Sequence, residues 1–355
     1  MLQSCFMLSL SDRFERASLP VKVVIGIMAF AFLYAIASFV PAGFDWTVFF
    51  GQRIAPAFEV PWVHWLLPFL TWPLVVTLTW VALGWATWRR KGSPLTLLLV
   101  FCSLPVMWTL FLGQLEGLAL LGLCLMPGGI ALALLKPQLT MFSVLANRRW
   151  FVAAALWGVF SLLIWGLWPL NLIGRVGTEW KSVQPQDISL FPWSIPFVLP
   201  LLWLSRGDED MLMVAGSLVT PVLVPYHFLV VMPSLARLSK PLQLLCWALS
   251  WMPLSANWVG PLGWRFGNIF SLVLWLCLWR SRATKYTPEA AAARRCQNVS
   301  ESTATRTAIA KRPTKKMAIA RRRVVSFTGQ APGSTPAPFP VHPASPAAKV
   351  RKTRD

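Results

Sequence analysis

Charge is scarce in this chain. Only 13% of its 355 residues are charged, and the acids are fewest, with 13 Asp and Glu against 33 Lys and Arg. Soluble domains carry about 25% charged residues, so the shortage excludes water as the solvent for most of the sequence. Cysteine is also thin. The six present (Cys5, Cys102, Cys124, Cys246, Cys277, Cys296) show no Cys-x-x-Cys or Cys/His spacing, which supports neither a zinc site nor a disulfide framework. Four of them lie in apolar runs, where a thiol acts as a small buried hydrophobe. No glycine-rich nucleotide loop, metal-ligand cluster or internal repeat is present. The first 21 residues lack the short apolar core and small-residue cleavage site of a signal peptide, so the first hydrophobic run is read as a retained helix.

Apolar residues are abundant: 56% of the chain is hydrophobic, with 22 Phe and 21 Trp. They form runs of about 20 residues rather than alternating strands. Hydrocarbon cannot satisfy backbone amides, so such runs must be helices. Spans are expected at 21–41, 61–87, 93–112, 117–135, 150–170 and 188–204. Pro221, Pro225 and Pro233 divide the next stretch into 211–225 and 228–236, and 241–255 and 264–280 follow. Counting basic residues per loop favours ten crossings over nine. With a cytoplasmic N-terminus, Arg13/Arg16/Lys22, Arg89/Arg90/Lys91, Lys136/Arg148/Arg149, Arg206, Arg237/Lys240 and the residues from Arg280 onward then all fall inside. Lys136 reads as a topological cation at an inner helix end. Trp at the span ends, among them Trp62, Trp65, Trp88, Trp150 and Trp168, reads mostly as an interfacial belt.

The expected fold is therefore an all-α polytopic membrane protein of about ten transmembrane helices, nine being the alternative. A cytoplasmic segment (1–20) precedes the membrane domain (21–280), and a cytoplasmic tail (281–355) follows it. The tail holds 16 Lys/Arg against 3 Asp/Glu and is rich in Ala, Ser, Thr and Pro. Such a composition buries too little apolar area to offset its ordering entropy, so disorder is expected. Its clusters Lys311-Arg312, Lys315-Lys316 and Arg321-Arg322-Arg323 fit adhesion to anionic lipid rather than nucleic-acid binding, each charge contributing about 1 kcal/mol at such a surface.

This topology collects unusual polar residues on the outer side: Asp45, Arg53 and Glu59; Gln114 and Glu116; Arg175, Glu179, Lys181 and Asp187; Tyr226 and His227; Asn257 and Arg265. Gly113-Gln114-Leu115-Glu116, an apolar stretch, then Leu135-Lys136-Pro137-Gln138 and Asn147-Arg148-Arg149-Trp150 together resemble glycosyltransferase family 87, the polyprenyl-phosphate-mannose-dependent mannosyltransferases of the GT-C membrane class. Gly43-Phe44-Asp45-Trp46 after the first helix resembles that family's acidic first outer loop. Val60-Pro61-Trp62 with Leu67-Pro68 resembles its entry to the second helix, and Pro225-Tyr226-His227-Phe228 with Met232-Pro233 its late Pro-Tyr motif.

The resemblance implies a GT-C-like fold and transfer of a hexose, mannose foremost, from a polyprenyl-phosphate donor to an extracytoplasmic glycan or glycolipid acceptor, with no cofactor and no metal. It implies Asp45 as the general base on the acceptor hydroxyl, a role that suits a carboxylate held near the membrane surface. Read without it, Asp45 is an interfacial acid facing headgroup water. Gln114 and Glu116 become sugar contacts, though Glu116 equally suits the positive end of its helix. Tyr226 and His227 would line the site, and a structural histidine is the other reading. Arg175, Lys181 and Arg265 are outer cations available to a phosphate or simply solvated. A transporter or flippase-like carrier and a non-enzymatic scaffold are the rival functions.

Overall fold

The computed structural model describes residues 18–54, 59–170 and 186–285. The chain divides into two units, Met1–Ala291 and Ala292–Asp355, and the described residues all belong to the first. Most of the expected N-terminal segment, the loop carrying Arg175, Glu179 and Lys181, and the tail beyond residue 285 lie outside them.

All regular structure among the described residues is helical, with no strand. Helix α1 (Leu19–Ala37) is apolar on every side and has Pro20 in its first turn, where the ring fixes a helical φ and the missing N–H costs nothing. Its Val, Ile, Met and Phe side chains are exposed almost along its whole length. A continuous apolar surface of that size belongs in lipid, not in water. After Gly43 come the short helices α2 (Phe44–Val48) and α3 (Val63–Leu66), then α4 (Trp72–Arg89). Helix α4 is the central strut: α1 packs on one side of it and α7 on another. At 18 residues it is about 27 Å long.

Helix α5 (Pro94–Phe101) starts in a capping box: the Thr96 backbone N–H donates to Ser93 Oγ and the Ser93 N–H to Thr96 Oγ1, both at 3.2 Å. It bends by 45° into α6 (Leu104–Leu112) at Pro105. Three helices are long and apolar enough to cross a membrane, Leu19–Ala37, Arg148–Trp165 and Pro261–Arg282; two bent pairs, Val63–Phe69 with Trp72–Arg89 (109°) and Pro94–Phe101 with Leu104–Leu112, bring the number to five among the described residues. These apolar helices mark a membrane protein with three to five candidate spans among the described residues, and the expected count of about ten is not reached by helix length and composition alone.

One departure from expectation governs the site. The run 117–135 does not form one helix. It makes α7 (Glu116–Cys124), turns at Pro127-Gly128-Gly129, and returns as α8 (Ile130–Ala133). The two arms touch backbone to backbone, since a Cβ on Gly122 would overlap Ala133 N. The tip reaches the far end of α4, where Arg89 Nη1 donates to the Cys124 carbonyl at 3.1 Å. The returning arm is held by Trp62 Nε1, which donates to the Ala131 carbonyl at 3.0 Å. Lys136 therefore does not sit at an inner helix end, as the apolar run predicts. The hairpin carries it back beside Gln114.

The chain continues as α9 (Pro137–Ser143), α10 (Arg148–Trp165), α11 (Ile195–Leu204) and α12 (Glu209–Ser217). A 3₁₀ segment, Pro225–Arg237, follows with almost every residue buried, and α13 (Lys240–Ser250), α14 (Ala256–Val259) and α15 (Gly267–Lys285) complete the unit. Such a length of 3₁₀ is unusual. Pro233 inside it denies an N–H donor that an α-helix needs, whereas Pro225 stands at its first position, where none is required. The break expected at Tyr226-His227 is absent: the segment runs through both, and the chain is interrupted earlier, between Ser217 and Pro225.

Where α4 ends, Arg90 binds Asp210 through two nitrogens (2.6 and 3.1 Å) and Glu209 (2.8 Å), while Arg237 binds Asp208 (2.6 and 2.7 Å) and Asp210 (3.0 Å). Ser281 Oγ donates to the Arg237 carbonyl, and Arg282 to the carbonyls of Leu204 and Arg206. Arg90, Arg206, Arg237 and the end of the last span thus share one end of the bundle, as the loop charges predict.

Candidate functional site

The other end of α4 holds a second cluster of charged and polar groups. Its construction starts from two glycines. Helix α6 stops at Gly113, whose φ of 80° is left-handed backbone that L side chains rarely adopt. Gly43 lies directly against it, so close that a Cβ on Gly43 would overlap the Gly113 nitrogen. That approach brings the residues just beyond each glycine, Asp45 and Gln114, into hydrogen-bond contact: Gln114 Nε2 donates to Asp45 Oδ2. Behind Asp45, Trp46 packs on Trp72 at the start of α4, with ring centroids 5.6 Å apart.

Lys136, delivered by the α7–α8 hairpin, donates to Gln114 Oε1 at 3.0 Å and to Glu59 Oε1. Its ammonium also lies 3.8 Å from Glu116 Oε1 and 5.9 Å from the centre of the Phe50 ring. Lys136 is 5% exposed and Glu116 only 1%. Both Glu116 oxygens are buried and take part in no hydrogen bond among the described residues. Lys136 Nζ and His227 Nε2 each lie 3.8 Å from its Oε1. That spacing is too long for a direct hydrogen bond.

The histidine's role can be read from its partner. The Val224 backbone N–H donates to His227 Nδ1 at 2.9 Å. A nitrogen that accepts carries no proton, so His227 is the neutral tautomer with its proton on Nε2, aimed toward Glu116. The sequence-based option of a charged imidazolium holding an anion is replaced by a neutral donor. Tyr226 is buried beside it, the two rings 4.5 Å apart.

The cluster thus sets three carboxyls, Asp45, Glu59 and Glu116, around a single ammonium. Burial pushes the Asp45 carboxyl above the usual carboxylate range, opposed by the Lys136 charge and the Gln114 hydrogen bond and assisted by Glu59. A carboxylate so placed is a better proton acceptor than one in water. Among the described residues no group of three or more His, Cys, Asp or Glu is arranged to hold a metal ion.

Of the residues singled out from sequence, Asp45, Gln114, Glu116, Tyr226 and His227 come together. Arg265 does not. It is exposed and lines a separate cavity of about 710 Å³ with Asp187, Phe191, Trp193 and Phe197. There Asp187 Oδ1 already accepts the backbone N–H groups of Ser189 (2.9 Å) and Leu223 (3.0 Å). Two members of the cluster were not assigned to it from sequence. Glu59 reads as one more acid in the first outer loop, and Lys136 as an inner cation. The signal that relocates Lys136 is Pro127-Gly128-Gly129, a turn sequence inside an apolar run.

Comparison with known protein families, with curated proteins and with solved structures finds no match to this chain.

Proposed function

We propose that the chain is an integral membrane glycosyltransferase that moves a hexose, mannose foremost, from a polyprenyl-phosphate donor to an extracytoplasmic glycan or glycolipid acceptor. In this reading the fold is GT-C-like with about ten passes, short or broken segments completing the number, and both termini are cytoplasmic. The observation that carries the reading is the meeting of Asp45, Gln114, Glu116 and His227, from three separate stretches of chain, at one end of α4. The partition of loop cations to the opposite end supports the sidedness.

The chemistry asked of these residues is limited. The acceptor hydroxyl attacks the anomeric carbon of the donor, its proton passes to Asp45, and the bond from that carbon to the phosphate oxygen breaks, leaving polyprenyl phosphate. Asp45 uses one oxygen to accept from Gln114, and the other takes the proton. Glu116, whose buried oxygens have no hydrogen-bond partner among the described residues, and the His227 Nε2–H hold sugar hydroxyls. A lipid-linked donor arrives through the bilayer, consistent with a chain that carries no nucleotide loop.

The test is transfer of radiolabelled mannose from synthetic polyprenyl-phosphate-mannose by purified protein in lipid nanodiscs. Asp45→Asn should lower the rate by about 10²-fold or more, the usual contribution of a positioned general base. Equal rates in wild type and variant would remove Asp45 from the mechanism. Absence of transfer from any hexose donor by the wild-type protein would favour the carrier reading, which draws support from the part-crossing α7–α8 hairpin beside buried charge.

A further inference from the structure

Lys136 is the group in the cluster with the most partners. An ammonium has three N–H donors and no acceptor. Of the two ends of the Gln114 amide it can meet only the oxygen, which it does at 3.0 Å. With that oxygen occupied, the amide's N–H₂ group is turned toward Asp45, and Nε2 donates to Asp45 Oδ2. The orientation of Gln114 is thus dictated from Lys136, and the orientation of Asp45 from Gln114. Glu59 fixes the ammonium from the other side, and the α7–α8 hairpin fixes the backbone that carries it. A neutral apolar residue at 136 would leave the Gln114 oxygen without its donor and the amide held from the Asp45 side alone.

We propose that Lys136 is the positioning residue of this site, setting Asp45 through Gln114 and supplying the charge that keeps Asp45 ionised. The inference rests on the transferase reading for the meaning of Asp45, though not for the linkage itself. The charged and titratable groups that face Asp45 are Lys136, Glu59, Glu116 and Tyr226. Lys136 is the single cation among them, so its removal leaves only groups that oppose ionisation of Asp45.

The experiment reads protonation of Asp45 directly. N,N′-dicyclohexylcarbodiimide modifies protonated carboxyls in apolar surroundings. Its incorporation at Asp45 is followed by peptide mass spectrometry against pH, with the full-length protein in nanodiscs. Lys136→Met should raise the pH of half-labelling by about 1 unit or more, and Lys136→Arg should restore most of the wild-type profile. Lys136→Gln, which keeps donor capacity without charge, serves should the Met variant fail to fold, and it should shift the profile in the same direction. Mannose transfer is measured on the same preparations, and its acid limb should move with the labelling profile.

A labelling profile unchanged in both neutral variants would overturn the role of Lys136, whatever the transfer assay gives. A shifted profile in protein whose wild type transfers no hexose would sink the transferase reading and leave the Lys136 linkage standing.

Discussion

Two glycines bring the halves of this site together. Asp45 and Gln114 meet because Gly43 and Gly113 allow two loops to approach within backbone contact. Gly43→Ala would put a methyl group into the Gly113 nitrogen and the Leu112 carbonyl carbon, neither of which can rotate away. The strain should cost about 1–3 kcal/mol and separate Asp45 from Gln114. Gly84→Ala, inside α4 with nothing within 4 Å of a new Cβ, is the matched control and should leave stability unchanged or slightly raised. Thermal unfolding in detergent compares the two, and equal midpoints would show that the loops tolerate separation. Both glycines stand in the stretches that sequence reading singled out. Their polar neighbours Asp45 and Gln114 were legible as same-side residues because each follows the end of an apolar run. Their direct contact was not legible, since it depends on how closely two backbones approach, which no pattern of side chains encodes.

At the scale of elements, the ionic network at the far end of α4 ties three pieces together: α4 through Arg90, α12 through Asp208, Glu209 and Asp210, and the 3₁₀ segment through Arg237. Asp210 is the shared partner and is 3% exposed at its side chain, whereas the Glu209 side chain is 30% exposed. Breaking a buried pair strands a charge that burial has already separated from water. Asp210→Asn should therefore destabilise the protein by about 3 kcal/mol or more, and Glu209→Gln by less than about 1 kcal/mol. Chemical unfolding of the two variants side by side measures the difference, and similar losses would refute the claim that Asp210 joins the arginines. That these arginines share one end of the bundle was readable from loop charge alone. Their acidic partners were not read, because Asp208-Glu209-Asp210 looks like a solvated loop until the arginines from two distant segments arrive beside it.

At the scale of the whole molecule, the sequence and the structure part over how the chain travels between Glu116 and Lys136. Nineteen apolar residues satisfy the length of a crossing, and hydropathy has no means of telling a straight helix from two short arms with the same composition. Only Pro127-Gly128-Gly129 marks the turn. The consequence reaches function, for a straight crossing would leave Lys136 a membrane thickness from Asp45, and the hairpin makes it the centre of the cluster. The two paths differ at Gly128. In a straight span from 117 to 135 it lies near mid-membrane, closed to water, whereas in the hairpin it is exposed at the tip beside the Arg89 end of α4. In a background with the native cysteines replaced, Gly128→Cys should react with a membrane-impermeant maleimide from the same side as Arg206→Cys. Phe44→Cys, exposed beside Asp45, should react from the opposite side. Protection of Gly128→Cys from both sides would restore the straight crossing, return Lys136 to the inner surface, and dissolve the linkage from Lys136 through Gln114 to Asp45.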